Sequence, residues 1–284
     1  MTATLKNWNA RLALSFSKPD STKTVLVKRK HYGPLQVQKA LYPEGPGVCH
    51  VTILHPPSGM AGGDALSIEI ALTESAHALL STPGATRWYK ANDRYATQNV
   101  VIHLDAHTRL DWLPQESIFF EQANARVSTQ IHLQAGACAI GWEILQLGSI
   151  VKSGYWEEGS ILLNTQLLLE ERPLWVESGE LHAKGRLRGS HSGLAGFPVS
   201  ATLWAFGPSL TSGLIERLAE TMPWNDTLRA GVTAMPSKDG QGLNLVRVLG
   251  QHVEDVKRFL IELWMTLRPL ILETRGAYLR LWST

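Results

Sequence analysis

Three carboxylates stand where apolar strands would otherwise run unbroken or begin: Asp64 closes "HPPSGMAGGD", Glu143 interrupts "AIGWEILQLG" and Glu177 interrupts "PLWVESG". A carboxylate moved out of water must be paired, protonated or bound to a cation. These three are therefore the residues from which a polar, cation-tolerant interior site could be built. Each also has a plainer reading, with Glu143 and Glu177 ending on a solvated face and Asp64 serving as an Asx-type turn residue at a strand start. A second set, Glu116 and Glu121 in "DWLPQESIFFEQANA", offers a general acid and base pair. Their sequence spacing does not fix their separation in space.

The loop that carries Asp64 is not a nucleotide cradle. No Gly-Lys-Ser/Thr follows its glycines, and the next segment reads as a strand rather than a helix N-terminus. Its composition suits turns: Pro56 and Pro57 fix φ, while Gly59, Gly62 and Gly63 allow positive φ or close backbone approach. His55 reads as a turn residue at its entrance. "STPGATRWYKA" is a second such corner, at Pro83 and Gly84, whose Arg87 and Lys90 would bind an anion or remain solvated.

Other chemistries find little purchase. Ten histidines include no HExxH and no His-x-His pair, and His103 and His107 in "HLDAH" straddle a turn. There is no GxSxG elbow, and "GSHSG" is a loop in which Ser190 lacks that setting. Cys49 and Cys138 lie in apolar runs, too far apart for CxxC, and read as buried reduced thiols. The ten tryptophans could stack on sugars, although core or interface mass is their commoner use.

From Thr24 to Phe206 the hydrophobic period is two, punctuated by Gly, Pro and Asn, which predicts many strands. In "DALSIEIAL", Leu66, Ile68, Ile70 and Leu72 share one face and Ser67 and Glu69 the other. After Pro208 the character changes. "SGLIERLAETM" predicts a helix, "LRAGVTAMPSKDGQGLNLVRVLG" a hairpin around Lys238 to Gln241, and "HVEDVKRFLIELWMTLRPLI" an amphipathic helix limited by Pro269. The expected order is a β body over 24–206 and a helix–hairpin–helix part over 209–284, within one compact 284-residue unit. Sandwich, barrel and β-helical coil all remain compatible.

The net charge is +2, and the densest basic run, Lys28 to His31, has no aromatic-interleaved stripe beside it. Nucleic-acid binding is disfavoured, and a solvated edge or partner contact is expected instead. No stretch approaches a membrane span and the N-terminus lacks a signal-peptide pattern, so a cytoplasmic protein is expected.

Five blocks in order carry a family resemblance: "KRKHYGPLQVQKALYPEG", "CHVTILHPPSGMAGGDAL", "STPGATRWYKA", "LDWLPQESIFFEQANA" and "GWEILQLGSIVKSG". They resemble the successive signature blocks of the urease accessory family UreD, called UreH in some organisms. Beyond about Gly159 the match rests on pattern and on the aromatic close "YLRLWST". "HPPSGMAGGD" is similar to the family's His-Pro-Pro-Gly-Gly-Ile-Val-Gly-Gly-Asp, with Ser58, Met60 and Ala61 as departures.

The resemblance implies a mainly β, superhelical body with a small C-terminal α-rich part, and a non-enzyme. It implies a scaffold that binds urease apoprotein and UreF, with the GTPase UreG joining through UreF, for GTP-dependent nickel insertion. No tightly bound cofactor is expected. Nickel would only be in transit, along the weak oxygen ligands Asp64, Glu143 and Glu177. His55, Pro56, Pro57, Gly59, Gly62, Gly63, Pro83, Gly84 and Glu116 would then be turn or interface positions. The competing class is a β-rich hydrolase using Glu116 with Glu121, or a carbohydrate-binding protein using the tryptophans.

Overall fold

A computed structural model describes residues 7–20, 22–149, 155–236 and 240–283. Strand makes up 51% of it and helix 13%, so strand geometry decides the shape. The chain winds as a β-solenoid of about four turns. Successive coils lay β4 (Val48–Leu54), β7 (His77–Ser81), β10 (Arg109–Leu113) and β13 (Cys138–Leu147) side by side and parallel in one sheet. Each coil returns through β6 (Ala65–Leu72), β9 (Ala96–Leu104), β12 (Ala123–Leu133) or β14 (Gly159–Leu169), parallel in the facing sheet. In the first three coils short strands bridge the two: β5 (Gly59–Met60), β8 (Thr86–Trp88) and β11 (Ser117–Phe119).

Further strands finish both sheets, all by antiparallel pairing except β1, which joins β6 in parallel. β1 (Asn9–Ser17) and β2 (Val25–Tyr32) extend the smaller sheet at one end, and β15 (Arg172–His182) closes it at the other. In the larger sheet β3 (Gln36–Val37) flanks β4, while β16 (Val199–Pro208), β18 (Gln241–Gly250) and β17 (Leu228–Pro236) continue outward from β13. The orders are therefore β15-β14-β12-β9-β6-β1-β2 and β17-β18-β16-β13-β10-β7-β4-β3. Edge strand β2 exposes Lys28, Arg29, Lys30 and His31, so the densest basic run is a solvated edge. Charge there discourages pairing with another chain.

Period two sorts the side chains. Leu66, Ile68, Ile70 and Leu72 of β6 are buried between the sheets while Glu69 is exposed. Strand β1 follows the same rule through Ala10, Leu12, Leu14 and Phe16, so the β body begins at Asn9 rather than Thr24. Its "NARLALSFS" alternates from Asn9 to Phe16, and its pairing with β6 is parallel and in register.

A second core lies outside the larger sheet, where Leu79, Leu113, Ile140, Trp142 and Leu203 face helix α3 (Val253–Ile271). Two further helices are the short α1 (Arg186–Gly189) and α2 (Ser212–Thr221). The stripe Val253, Val256, Leu260, Leu263, Trp264 and Leu267 of α3 is buried, with Phe259 packed at its margin. Each of its Leu or Val side chains contributes ~1.5–3 kcal/mol by leaving water. Contrary to expectation, Pro269 does not limit α3, which runs on to Ile271 and is followed by Leu272 donating to the Arg268 carbonyl at 2.8 Å. Pro269 lacks the N–H that would reach the Met265 carbonyl, and it lies in the last turn, with the helix ending two residues later. The hairpin β17–β18 joins the larger sheet, with residues 237–239 at its tip outside the described set. Cys49 is buried and Cys138 half-buried, both free thiols, and burial raises both above the usual thiol range.

Candidate functional site

Where the solenoid's last coil meets its antiparallel finish, two rows of polar residues face one another across the core. In the larger sheet Glu143 of β13 lies opposite Thr202 of β16, which lies opposite Arg247 of β18. The smaller sheet contributes Thr129 of β12, Thr165 of β14 and Glu177 of β15 in one continuous register. The Thr129 and Thr165 hydroxyls donate to Glu143 Oε1 and Oε2 at 3.1 and 2.9 Å. Arg247 Nη1 donates to Glu177 Oε1 at 2.5 Å and ties β18 to β15. The sheets here enclose a cavity of about 470 Å³ that Glu143, Glu177, Thr165, Thr202 and Arg247 all line.

Its electrostatics leave the inner carboxylate to a proton or to a cation. Burial pushes the Glu143 carboxyl above its ordinary range, the two threonine hydroxyls pull it back in part, and the nearby Glu177 charge pushes it up again. Among the described residues, the charged form has hydroxyl donors but no cation bonded to it. A divalent ion entering the cavity would meet the Glu143 and Glu177 carboxylates and the Thr165 and Thr202 hydroxyls, an all-oxygen set that binds borderline metals weakly. Among the described residues, no group of three or more His, Cys, Asp and Glu side chains is arranged to hold a metal ion.

Asp64 is not part of this seam. Its Oδ1 accepts the Trp8 backbone N–H and its Oδ2 that of Ala61, both at 2.8 Å, so it clasps β1 to the turn before β6. Thr129 lies opposite Val100, and Val100 opposite Ile68, four residues beyond Asp64. Strand spacings put Asp64 roughly 16 Å from that row.

The rest of the "HPPSGMAGGD" loop is a backbone corner. Ser58 N–H donates to the His55 carbonyl at 2.7 Å around exposed Pro56 and Pro57, and Ser58 takes a φ of 51°. A Cβ at Gly62 would lie 1.7 Å from the Ala91 carbonyl oxygen, and one at Gly59 2.2 Å from the Tyr89 ring. Gly63 has a φ of +96°. His55 buries its Nε2 without a hydrogen bond, and burial lowers its ring below the usual imidazole range despite the Asp64 charge. Pro83 and Gly84 form an exposed corner, with the Thr82 hydroxyl donating to the Gly84 carbonyl at 3.2 Å.

Glu116 and Glu121 serve different partners. Glu116 pairs with Lys257 of α3 at 3.1 Å, whereas Glu121 accepts the backbone N–H groups of Glu157 and Glu158. Of the tryptophans, Trp88, Trp112, Trp142, Trp156, Trp204 and Trp264 are buried, which makes them core mass rather than a sugar platform.

Comparison with known proteins decides the family. The model described as "UreD urease accessory protein" matches residues 9–283. The urease accessory protein UreD of Bordetella pertussis is 52% identical over 284 residues, covering all of both chains. Those of Ralstonia nicotianae and Cupriavidus necator are 49% and 46% identical, covering 98% of this chain and 95% of theirs. The chain belongs to the UreD family. Its role is accordingly in urease maturation. The first of the five UreD-like blocks covers flanking strands β2 and β3, and the other four map onto the solenoid coils and their corners, with residues 150–154 of the last outside the described set.

Two groups of residues escaped the sequence reading. Thr129, Thr165, Thr202 and Arg247 complete the seam, and a signal for two of them was present: Thr129 shares the inward register of Val127 and Ile131, and Thr165 that of Leu167. The second group is an ionic lock beneath α3. Asp111 of β10, fully buried, accepts from Arg268 Nε and Nη2, from Trp264 Nε1 at 2.7 Å, and meets His77 Nε2 at 2.9 Å. Arg268, also fully buried, donates to Glu44 at 2.5 and 3.0 Å and to the Arg275 carbonyl at 2.8 Å. Partners to Asp111 stand 34 to 157 residues away in sequence, which no local pattern announces.

Proposed function

We propose that this UreD-family chain is a non-catalytic scaffold for nickel insertion into urease. It binds urease apoprotein and UreF, and UreG joins through UreF, with GTP hydrolysis belonging to UreG. The cytoplasm is the compartment this reading requires. Nickel is cargo, passing the seam between the sheets by way of Glu143 and Glu177. Asp64, with both oxygens committed to backbone N–H groups, holds the loop in place instead.

The observation that carries the reading is the seam itself: Glu143, Glu177, Thr165 and Thr202 line one cavity beside the apolar core between the sheets of a β-solenoid. Oxygen ligands alone hold nickel loosely enough to let it go, whereas a His- or Cys-rich cage would retain it. The test is to express urease apoprotein with UreF, UreG and the remaining accessory protein, with and without this chain. Nickel content and urea hydrolysis of purified urease are then measured. Nickel-loaded, active urease only when the chain is present is the expected result. Equal activation in its absence would remove the scaffold role.

A further inference from the structure

The seam has a mouth and a depth, and one arginine separates them. Glu177 and Arg247 are the outer pair, with side chains 37% and 56% exposed, whereas Glu143 lies inside between Thr129 and Thr165. Arg247 stands two strands from Glu143 in the same row, with Thr202 between them, a separation of ~10 Å at the backbone. Its guanidinium turns across the gap to the opposite sheet and bonds Glu177.

We propose that Arg247 is a displaceable gate: its guanidinium occupies the outer carboxylate until a divalent cation takes its place. This inference rests on the reading of the seam as a cation passage. The charged groups lining the cavity are Glu143, Glu177, Glu180 and Arg247, and Glu180 already faces His182 at 3.3 Å. A guanidinium does not lose its proton, so Arg247 is a permanent single positive charge. A partly exposed ion pair stabilises the fold weakly and opens readily. A dication offers Glu177 twice the charge and can also reach the inner carboxylate, which Arg247 is not bonded to. As it binds, the Arg247–Glu177 pair breaks, a cation–carboxylate contact forms, and the guanidinium swings to solvent. Monovalent ions at the same concentration lack that advantage. The gate thus selects for charge two and keeps the outer carboxylate from drawing in sodium or potassium.

The experiment is nickel binding by the untagged full-length chain, measured by equilibrium dialysis for the wild type, Arg247→Gln, Glu177→Gln, Glu143→Gln and the Arg247→Gln/Glu177→Gln double variant. Removing the competitor is expected to tighten nickel binding by about 5-fold, the equivalent of one exposed ion pair. In the double variant that gain disappears, and affinity equals that of Glu177→Gln. Unchanged or weaker binding by Arg247→Gln, with binding lost in Glu143→Gln and Glu177→Gln, would overturn the gate and leave the passage standing. Wild-type binding by both carboxylate variants would overturn the passage itself.

Should Arg247→Gln fail to fold, the wild-type chain still answers. The side-chain Nε–H NMR signal of Arg247, assigned by its loss in Arg247→Lys, is followed during titration with diamagnetic Zn²⁺. Movement to the position of a solvated arginine is expected, and a signal that stays put at saturation would overturn the gate.

Discussion

Asp111 and Glu143 sit on opposite faces of one sheet, and the protein treats them in opposite ways. Asp111, under α3, is surrounded by Arg268, His77 and the Trp264 indole. Burial alone would push its carboxyl upward, but His77, Arg268 and Trp264 outweigh burial and hold it below the usual range. Glu143, on the inner face, meets two hydroxyls and a neighbouring carboxylate among the described residues, so burial wins and its carboxyl rises. A buried carboxylate with its own cation is a structural fastener. One with no cation bonded to it among the described residues is neutralised by a proton or, on the reading proposed above, by a cation from elsewhere.

Breaking the fastener is the harshest test of this contrast. Arg268→Met leaves Asp111 and Glu44 enclosed without their guanidinium and is expected to cost about 3–5 kcal/mol, read as a lower denaturant midpoint. A loss under ~1 kcal/mol would mean that the outer-face network is not a fastener. Asp64→Ala comes next. Two backbone N–H groups lose their acceptor, so the expected loss is about 1–3 kcal/mol, with nickel binding by the folded fraction unchanged. A specific loss of nickel binding would place Asp64 with Glu143 instead of with Asp111.

The pH dependence of stability separates the two carboxylates by sign. Asp111 has a depressed folded-state pKa, so its contribution is present above its unfolded value of ~3.9 and is lost as pH falls through the folded value. Glu143 has a raised one, so its contribution is present below its unfolded value of ~4.3 and is lost as pH rises through the folded value. In chelator-containing buffer, Glu143→Gln therefore removes that upper loss and changes neutral-pH stability by less than ~1 kcal/mol or raises it. A large destabilisation at neutral pH would show that the charged Glu143 is itself a fastener.

How much of this was legible in the sequence follows from which contacts are local. Alternation in "DALSIEIAL" and the stripe of α3 reflect the geometry of single elements, and both appear in the fold. Glu143 and Glu177 were visible as charges breaking apolar runs, and they do share a cavity. Asp64 broke the pattern in the same way for a different reason, because a carboxylate that accepts two backbone N–H groups looks identical in sequence to one that awaits a cation. Strand β1 went unread although it alternates from Asn9 to Phe16, and its partner β6 lies 56 residues on. Arg247 carried no local sign, because its role depends on a strand reached only after β16 and β17 are laid down.

On the proposed function, the inner-face carboxylates carry nickel and the outer-face ones carry the fold. Urease matured with a Glu143→Gln/Glu177→Gln chain tests it most directly, with nickel per active site measured on urease purified from a soluble accessory complex. The account predicts a folded chain that still assembles with its partners and urease left largely without nickel. Full nickel occupancy with that double variant would contradict it.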